Sequence, residues 1–278
     1  MTNQHTELST DIFFERDVIK ASGPFPKKAA LTPPAKKRCT PAIAGVLAGF
    51  YTSHVKNLAV LGELELQETK DQARIDTLND NNVHLKAIAQ DYASDVFLQD
   101  WKRRLPADTK RAFSFLGFAL KPGAKAITFR LGHEVANAAF SAKKGSTDYL
   151  SSLARTLGIT DLAFVTEFVE SESEENHGFH MHGVACIPAA LTGEAIQRLL
   201  APKQNLKANP PIKGYRQRGK NEAVSVTDLQ TPGAWVCYSG KEFDFTAHAL
   251  ESNPGYSSRS ATSAGRKLYE NMRAWLRS

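Results

Sequence analysis

Asp161-Leu162-Ala163-Phe164-Val165-Thr166-Glu167-Phe168-Val169 is an apolar, β-branched run. Glu170 to Asn176 follows without one apolar residue, and then comes Gly178 to Ile187, which carries His180-Met181-His182. Runs of this composition, bounded by polar stretches, read as strands, and the acidic stretch between them reads as a hairpin tip. Side chains two apart on a strand share a face, so His180 and His182 point one way and Met181 the other. An antiparallel pair with one polar face is the seed of the fold.

The neighbouring segments extend that seed. Ala126-Ile127-Thr128-Phe129-Arg130-Leu131 alternates and reads as another strand. Asp148 to Leu157 reads as a helix ended by Gly158, and Thr192 to Leu200 as a helix capped by Thr192. Ala223 to Val226 is a further strand. Thr231-Pro232 opens a helix with threonine as cap and proline at its first position, and this helix is expected to carry Trp235, Tyr238 and Lys241. Helices mixed with antiparallel strands give an α+β fold: a central antiparallel sheet with helices packed on it.

Upstream the pattern is different. From about Pro41 to Asp100 the apolar residues Leu58, Leu61, Leu64, Ile75, Leu78 and Leu85 recur at helical spacing, so one or two long helices are expected, with a dimerisation hairpin as one option. Trp101-Lys102-Arg103-Arg104 reads as a basic helix end. The expected organisation is a flexible Pro/Lys-rich tail over 1–44 and a helical accessory region over 45–110. The main domain spans 111–250, and a basic tail or helix spans 251–278. In the tail, Lys36-Lys37-Arg38 reads first as a solvated linker and second as a phosphate contact. Trp275 is expected to pack the last helix onto the body.

Composition narrows the class. The chain has 278 residues, 42% hydrophobic, enough for a packed core. Its net charge of +6 fits a polyanionic partner without proving one. Cys39, Cys186 and Cys237 form neither a disulfide framework nor zinc-type ligand pairs, which points to a reducing, cytoplasmic setting. The longest apolar stretch, Ala42 to Tyr51, has about half the length of a membrane helix, so no membrane partner is expected.

Two constellations carry chemistry. His180 and His182 can share a divalent metal through neutral imidazoles. An oxygen ligand from the preceding strand would complete the set, and Glu167 is the first choice. A symmetric hairpin would instead turn Thr166 and Phe168 toward the histidines, so Glu167 needs a one-residue asymmetry or a bulge; Glu170 and His177 are the substitutes. Taken alone, the histidine pair reads first as two surface-facing residues of an amphipathic strand and only second as metal ligands. Tyr238 and Lys241 form the second constellation. A phenol, with an ordinary pKa of about 10, is a poor nucleophile unless a cation favours the phenolate. On a helix, Lys241 at i+3 neighbours Tyr238. A third group, Lys203, Lys207, Lys213, Arg216, Arg218 and Lys220, has no acid among it and offers cations to phosphates, with Tyr215 available to stack on a base.

In this order the segments resemble the HUH endonuclease superfamily, and most closely its single-tyrosine rolling-circle replication initiators from plasmids and small phages. Ala126 to Leu131 resembles the first motif. Phe164 to Phe168 with His180-Met181-His182 resembles the metal-binding motif, and Trp235 to Lys241 the tyrosine motif; the likeness covers about 111–250. It implies an HUH domain in which Mg²⁺ or Mn²⁺, held by His180, His182 and Glu167, activates a phosphodiester of single-stranded or extruded origin DNA. Tyr238 would attack to leave a 5′-phosphotyrosine and a priming 3′-OH, with Lys241 assisting. Association with the replicon or nucleoid, help from a host helicase and polymerase, and an open choice between monomer and homodimer follow from the same likeness. The chain departs from the family in its long acidic loop before His180. It has no second tyrosine at the helical spacing around Tyr238, and no G-x-x-x-x-G-K-[ST] motif for a fused helicase.

Three rivals stand beside this reading. A relaxase or transposase would share the chemistry, but relaxases generally place the tyrosine near the N-terminus, whereas Tyr238 follows the histidines. A non-catalytic DNA-binding regulator would bind without a covalent adduct. A histidine-triad hydrolase needs another histidine where Val184 stands.

Overall fold

A computed structural model describes residues 36–67, 69, 71–102, 105–169, 178–200, 224–229 and 231–278. Residues 36–278 form one compact unit, and its architecture is α+β. Two short strands, β1 (Lys37–Arg38) and β2 (Val96–Phe97), pair in parallel. The helical region comprises α1 (Pro41–Glu65), α2 (Gln72–Ala93) and α3 (Ala107–Ala119). Next come β3 (Ala124–Arg130), α4 (His133–Phe140), α5 (Ser146–Thr156), β4 (Leu162–Val169) and β5 (Gly178–Cys186). The chain closes with α6 (Gly193–Leu200), β6 (Val224–Asp228), α7 (Pro232–Ser239), α8 (Phe243–Leu250), β7 (Gly255–Ser257) and α9 (Arg259–Arg277).

The sheet is antiparallel throughout, in the order β6-β3-β5-β4-β7. One face is apolar: Ile127, Phe129, Phe164, Phe179 and Met181 pack against α4, α5 and α6. On the other face Ala163, Val165 and Val184 meet Phe115 and Phe118 of α3, with Trp235 of α7 at the margin. Beyond α3 lies a helical layer whose core joins α1, α2, α3 and α9 around Leu47, Phe113, Tyr269 and Met272. The helical region therefore shares its core with the C-terminal helix.

Local chemistry explains the boundaries. Thr40 caps α1 by accepting from the Ile43 N–H at 3.3 Å, and Pro41 follows at a position that needs no donor. Asp71 caps α2 through Arg74 N–H at 3.1 Å, and Ser258 caps α9 through Ala261 N–H at 3.3 Å. Gly158, with φ of +75°, ends the α5 segment in the left-handed region that suits glycine. Where α3 crosses α9 the backbones nearly touch: a Cβ on Gly117 would lie 2.6 Å from the Ala264 carbonyl, and one on Gly265 would overlap the Ser114 backbone. Only glycine fits both sides of that crossing.

Several expectations are corrected. The helix from Pro232 stops at Ser239, with Gly240 as its C-cap, so Lys241 lies in the turn before α8 and not on the helix of Tyr238. Thr231 makes no side-chain cap bond. Trp101 does not end a helix; it lies between β2 and α3, buried against Tyr269 at 5.7 Å between ring centroids. In the described end of the N-terminal segment, Lys37 pairs with Asp95 at 2.8 Å and Arg38 with Asp108 at 2.8 Å, so these cations hold β1 in place. The α3 and α4 helices and the edge strand β7 had no clear signal in the sequence. Trp275 does pack α9 onto the body, stacked on His54 at 5.1 Å. Among the described residues no helix is long and apolar enough to cross a membrane.

Candidate metal and tyrosine site

The register of β4 on β5 decides the site. Glu167 pairs directly with His180, and Val165 with His182. That register, unbroken from Leu162–Ala185 to Val169–Gly178, brings Glu167 to the histidines' face, while Thr166 turns away with Met181. The residues Glu170 and His177, and the acidic loop itself, lie outside the described residues. On the other side of β5, β3 sets Thr128 opposite His182 and Arg130 opposite His180.

These side chains are buried: Glu167 is 4% exposed, His180 7% and His182 2%. Burying a carboxylate is costly unless it finds partners. Glu167 finds two. Its Oε1 lies 3.1 Å from Lys241 Nζ, and its Oε2 lies 2.8 Å from His182 Nε2, off the line of a well-formed hydrogen bond. Burial pushes the Glu167 carboxyl upward, but His182 and Lys241 outweigh it and hold the group below the usual carboxylate range. The other imidazole nitrogen of His182, Nδ1, lies 3.0 Å from Thr128 Oγ1. That contact fixes the ring and leaves Nε2 to face Glu167.

The aromatic wall comes from α7. Trp235 donates its indole N–H to the Gly183 carbonyl at 2.8 Å, which pins α7 to β5. Tyr238 stacks on Trp235 with centroids 5.4 Å apart and meets His182 edge-on at 5.4 Å. Lys241 Nζ sits 4.5 Å from the Tyr238 ring centroid, a cation–π contact that survives the break in the helix. Tyr238 is 37% exposed, so a phenol at the rim stands before buried imidazoles.

A divalent metal fits this donor set in chemistry. Two ligands at about 2.1 Å from one octahedral ion lie roughly 3 Å apart, close to the 2.8 Å between Glu167 Oε2 and His182 Nε2. One carboxylate and two imidazoles on a common face form a mixed oxygen and nitrogen donor set of the kind divalent metal ions accept. In the arrangement described, Lys241 balances the Glu167 charge, and among the described residues no group of three or more His, Cys, Asp or Glu side chains closes around a single point.

Of the expected site residues, Glu167, His180, His182, Tyr238 and Lys241 thus come together. Lys203, Lys207, Lys213, Arg216, Arg218 and Lys220 lie outside the described residues, as does Tyr215. Thr128 and Trp235 were missed as working parts of the site. The alternation of β3 held the clue: Ile127, Phe129 and Leu131 are core residues, so Ala126, Thr128 and Arg130 must face the other way.

Against protein-family models, curated proteins and solved structures, the chain matches none.

Proposed function

We propose that the chain is a tyrosine-using, metal-dependent DNA nicking and rejoining enzyme of the HUH type, acting as an initiator of rolling-circle replication. One observation carries the reading: the β4–β5 hairpin and α7, well downstream in sequence, bring Glu167, His180 and Tyr238 each into contact with His182. Glu167, His180 and His182 would hold Mg²⁺ or Mn²⁺. When bound, such an ion polarises the phosphoryl oxygens of a phosphodiester.

The residues of the chain do the rest. The Tyr238 phenolate oxygen attacks phosphorus, the 3′-oxygen of the preceding nucleotide leaves, and a 5′-phosphotyrosine forms with a free 3′-OH. The reverse step, attack of a 3′-OH on the phosphotyrosine, rejoins the strand and returns the tyrosine. Trp235 limits the swing of the Tyr238 ring through their stacking. Thr128 keeps His182 in one orientation, a role that outer partners commonly play for metal-binding histidines. Lys241, against both Glu167 and the Tyr238 ring, supplies a cation beside the attacking group.

A second reading has its own observation. Glu167 is already neutralised by Lys241, an arrangement that also suits a DNA-binding protein without catalysis. A covalent-adduct assay separates the two. The protein is incubated with Mn²⁺ and labelled single-stranded DNA from the flanks of its gene, then denatured. The expected result is a protein band that retains label and disappears in Tyr238→Phe and His180→Ala. A gel shift without an adduct would support the regulator.

A further inference from the structure

We infer that a lysine-rimmed groove between α1 and α9 docks an acidic amphipathic helix of a partner protein. The groove measures about 770 Å³ and shares no lining residue with the site around His182. Its α9 wall is one helical stripe, Ser260, Ser263, Ala264, Lys267, Leu268 and Asn271. At about 1.5 Å per residue that stripe runs roughly 16 Å, three turns of helix. The first half carries the small side chains Ser260, Ser263 and Ala264, which leave the groove open.

The floor is apolar and the rim is cationic. Val55 of α1 is 44% exposed and Leu120, at the end of α3, is 39% exposed, and both line this groove. Lys56, Lys121 and Lys267 come from the three walls, and no Asp or Glu lines the groove. Asp161, outside the lining, accepts a hydrogen bond from Ser260. The Lys121 ammonium lies 5.2 Å from the Phe118 ring centroid, which holds it at the rim.

A phosphate backbone would satisfy three lysines but bury nothing against Val55 and Leu120. An amphipathic helix answers both: its apolar stripe covers the floor while acids on its flanks reach the lysines. Charge complementarity and groove length together therefore select an acidic helix over a nucleic acid.

The test uses the full chain and three probes followed by fluorescence anisotropy. The first is a labelled model helix of about four turns, with leucines on one face and glutamates on its flanks. The second is the same peptide with lysine for glutamate, and the third is a labelled single-stranded oligonucleotide. The acidic helix should bind about tenfold or more tighter than its lysine counterpart. The combined Lys56→Glu, Lys121→Glu and Lys267→Glu variant should lose that preference, and Leu120→Ala should weaken the acidic helix without altering the charge. Both variants should keep the circular dichroism spectrum, the oligonucleotide affinity and the Tyr238 adduct. Absent or equal binding of the two peptides would overturn the inference. A triple variant that instead loses oligonucleotide affinity would make the groove a phosphate surface. A change of its molar mass in light scattering would make it a self-association face. Either result overturns docking of a partner helix.

Discussion

The two faces of the sheet are made by the same strands and serve opposite ends. Toward α4, α5 and α6, β3, β4 and β5 present Ile127, Phe129, Phe164, Phe179 and Met181, each at most 1% exposed. Toward α7 they present Glu167, His180 and His182, nearly as well sealed but polar, with the partly buried Thr128 beside them. The first face is what stabilises the fold, through apolar area taken from water. The second carries desolvated polar groups that a fold optimised only for stability would replace with hydrophobic ones. Buried polar groups that touch one another beside a half-exposed tyrosine make this the face that the proposed chemistry uses.

If that division holds, substitutions on the two faces separate stability from chemistry. The largest effect on stability belongs to Phe129→Ala. Emptying a fully buried aromatic site should lower the unfolding free energy by about 3–5 kcal/mol, measured by urea denaturation, while the remaining folded protein still forms the adduct. Glu167→Gln should do the reverse. Adduct formation should fall by more than about 100-fold, read from single-turnover labelling, with a stability change of about 1 kcal/mol because Lys241 is partly exposed. Equal loss of stability and activity in both variants would erase the distinction between the faces.

Thr128→Val sharpens it further. The substitution keeps the shape and removes one hydrogen bond to His182, so stability should drop by about 1 kcal/mol. Mn²⁺ affinity, followed by titration calorimetry, should weaken by about 10–100-fold. Unchanged Mn²⁺ affinity would reduce Thr128 to a packing residue.

The smallest effect lies behind the polar face, in the dry helical core. Burial, with a smaller contribution from Asp108, pushes the Cys39 thiol from 9.0 up to about 11. A folded-state pKa above the unfolded value means that the contribution is complete below pH 9 and is lost as the pH rises toward 11. The urea midpoint of the wild type should therefore fall faster across that window than that of Cys39→Ala. Parallel curves would show that the thiol does not feel the core.

Much of this molecule is legible in the sequence because period-two alternation and helix signals are local. β3, β4, β5 and β6 follow from alternation and β-branching, and α6 from its Thr192 cap, where Thr192 Oγ1 accepts from Ala195 N–H at 3.2 Å. Helix ends set by competing contacts are not local. Gly240 is a local stop signal for α7, but the place of the following helix α8, packed on β4, is set by contacts that no segment shows by itself. β7 is too short to show a period; its hydrogen bonds to the edge of β4 define it.

The sequence by itself determined which side chains can do chemistry: His180 and His182 share a face because a strand repeats every two residues, whatever surrounds it. It also determined an α+β fold, since the apolar periods of the segments demand both sheet and helix. Only the tertiary structure decided which acid and which donors meet those histidines. Cross-strand register puts Glu167, not Thr166, opposite His180, and a one-residue slip would reverse every neighbour. The same is true of Thr128, which reaches His182 only because β3 pairs with β5, and of Tyr238, which the Trp235–Gly183 hydrogen bond holds against the site. Periodicity is a property of one segment, whereas register and docking are properties of pairs.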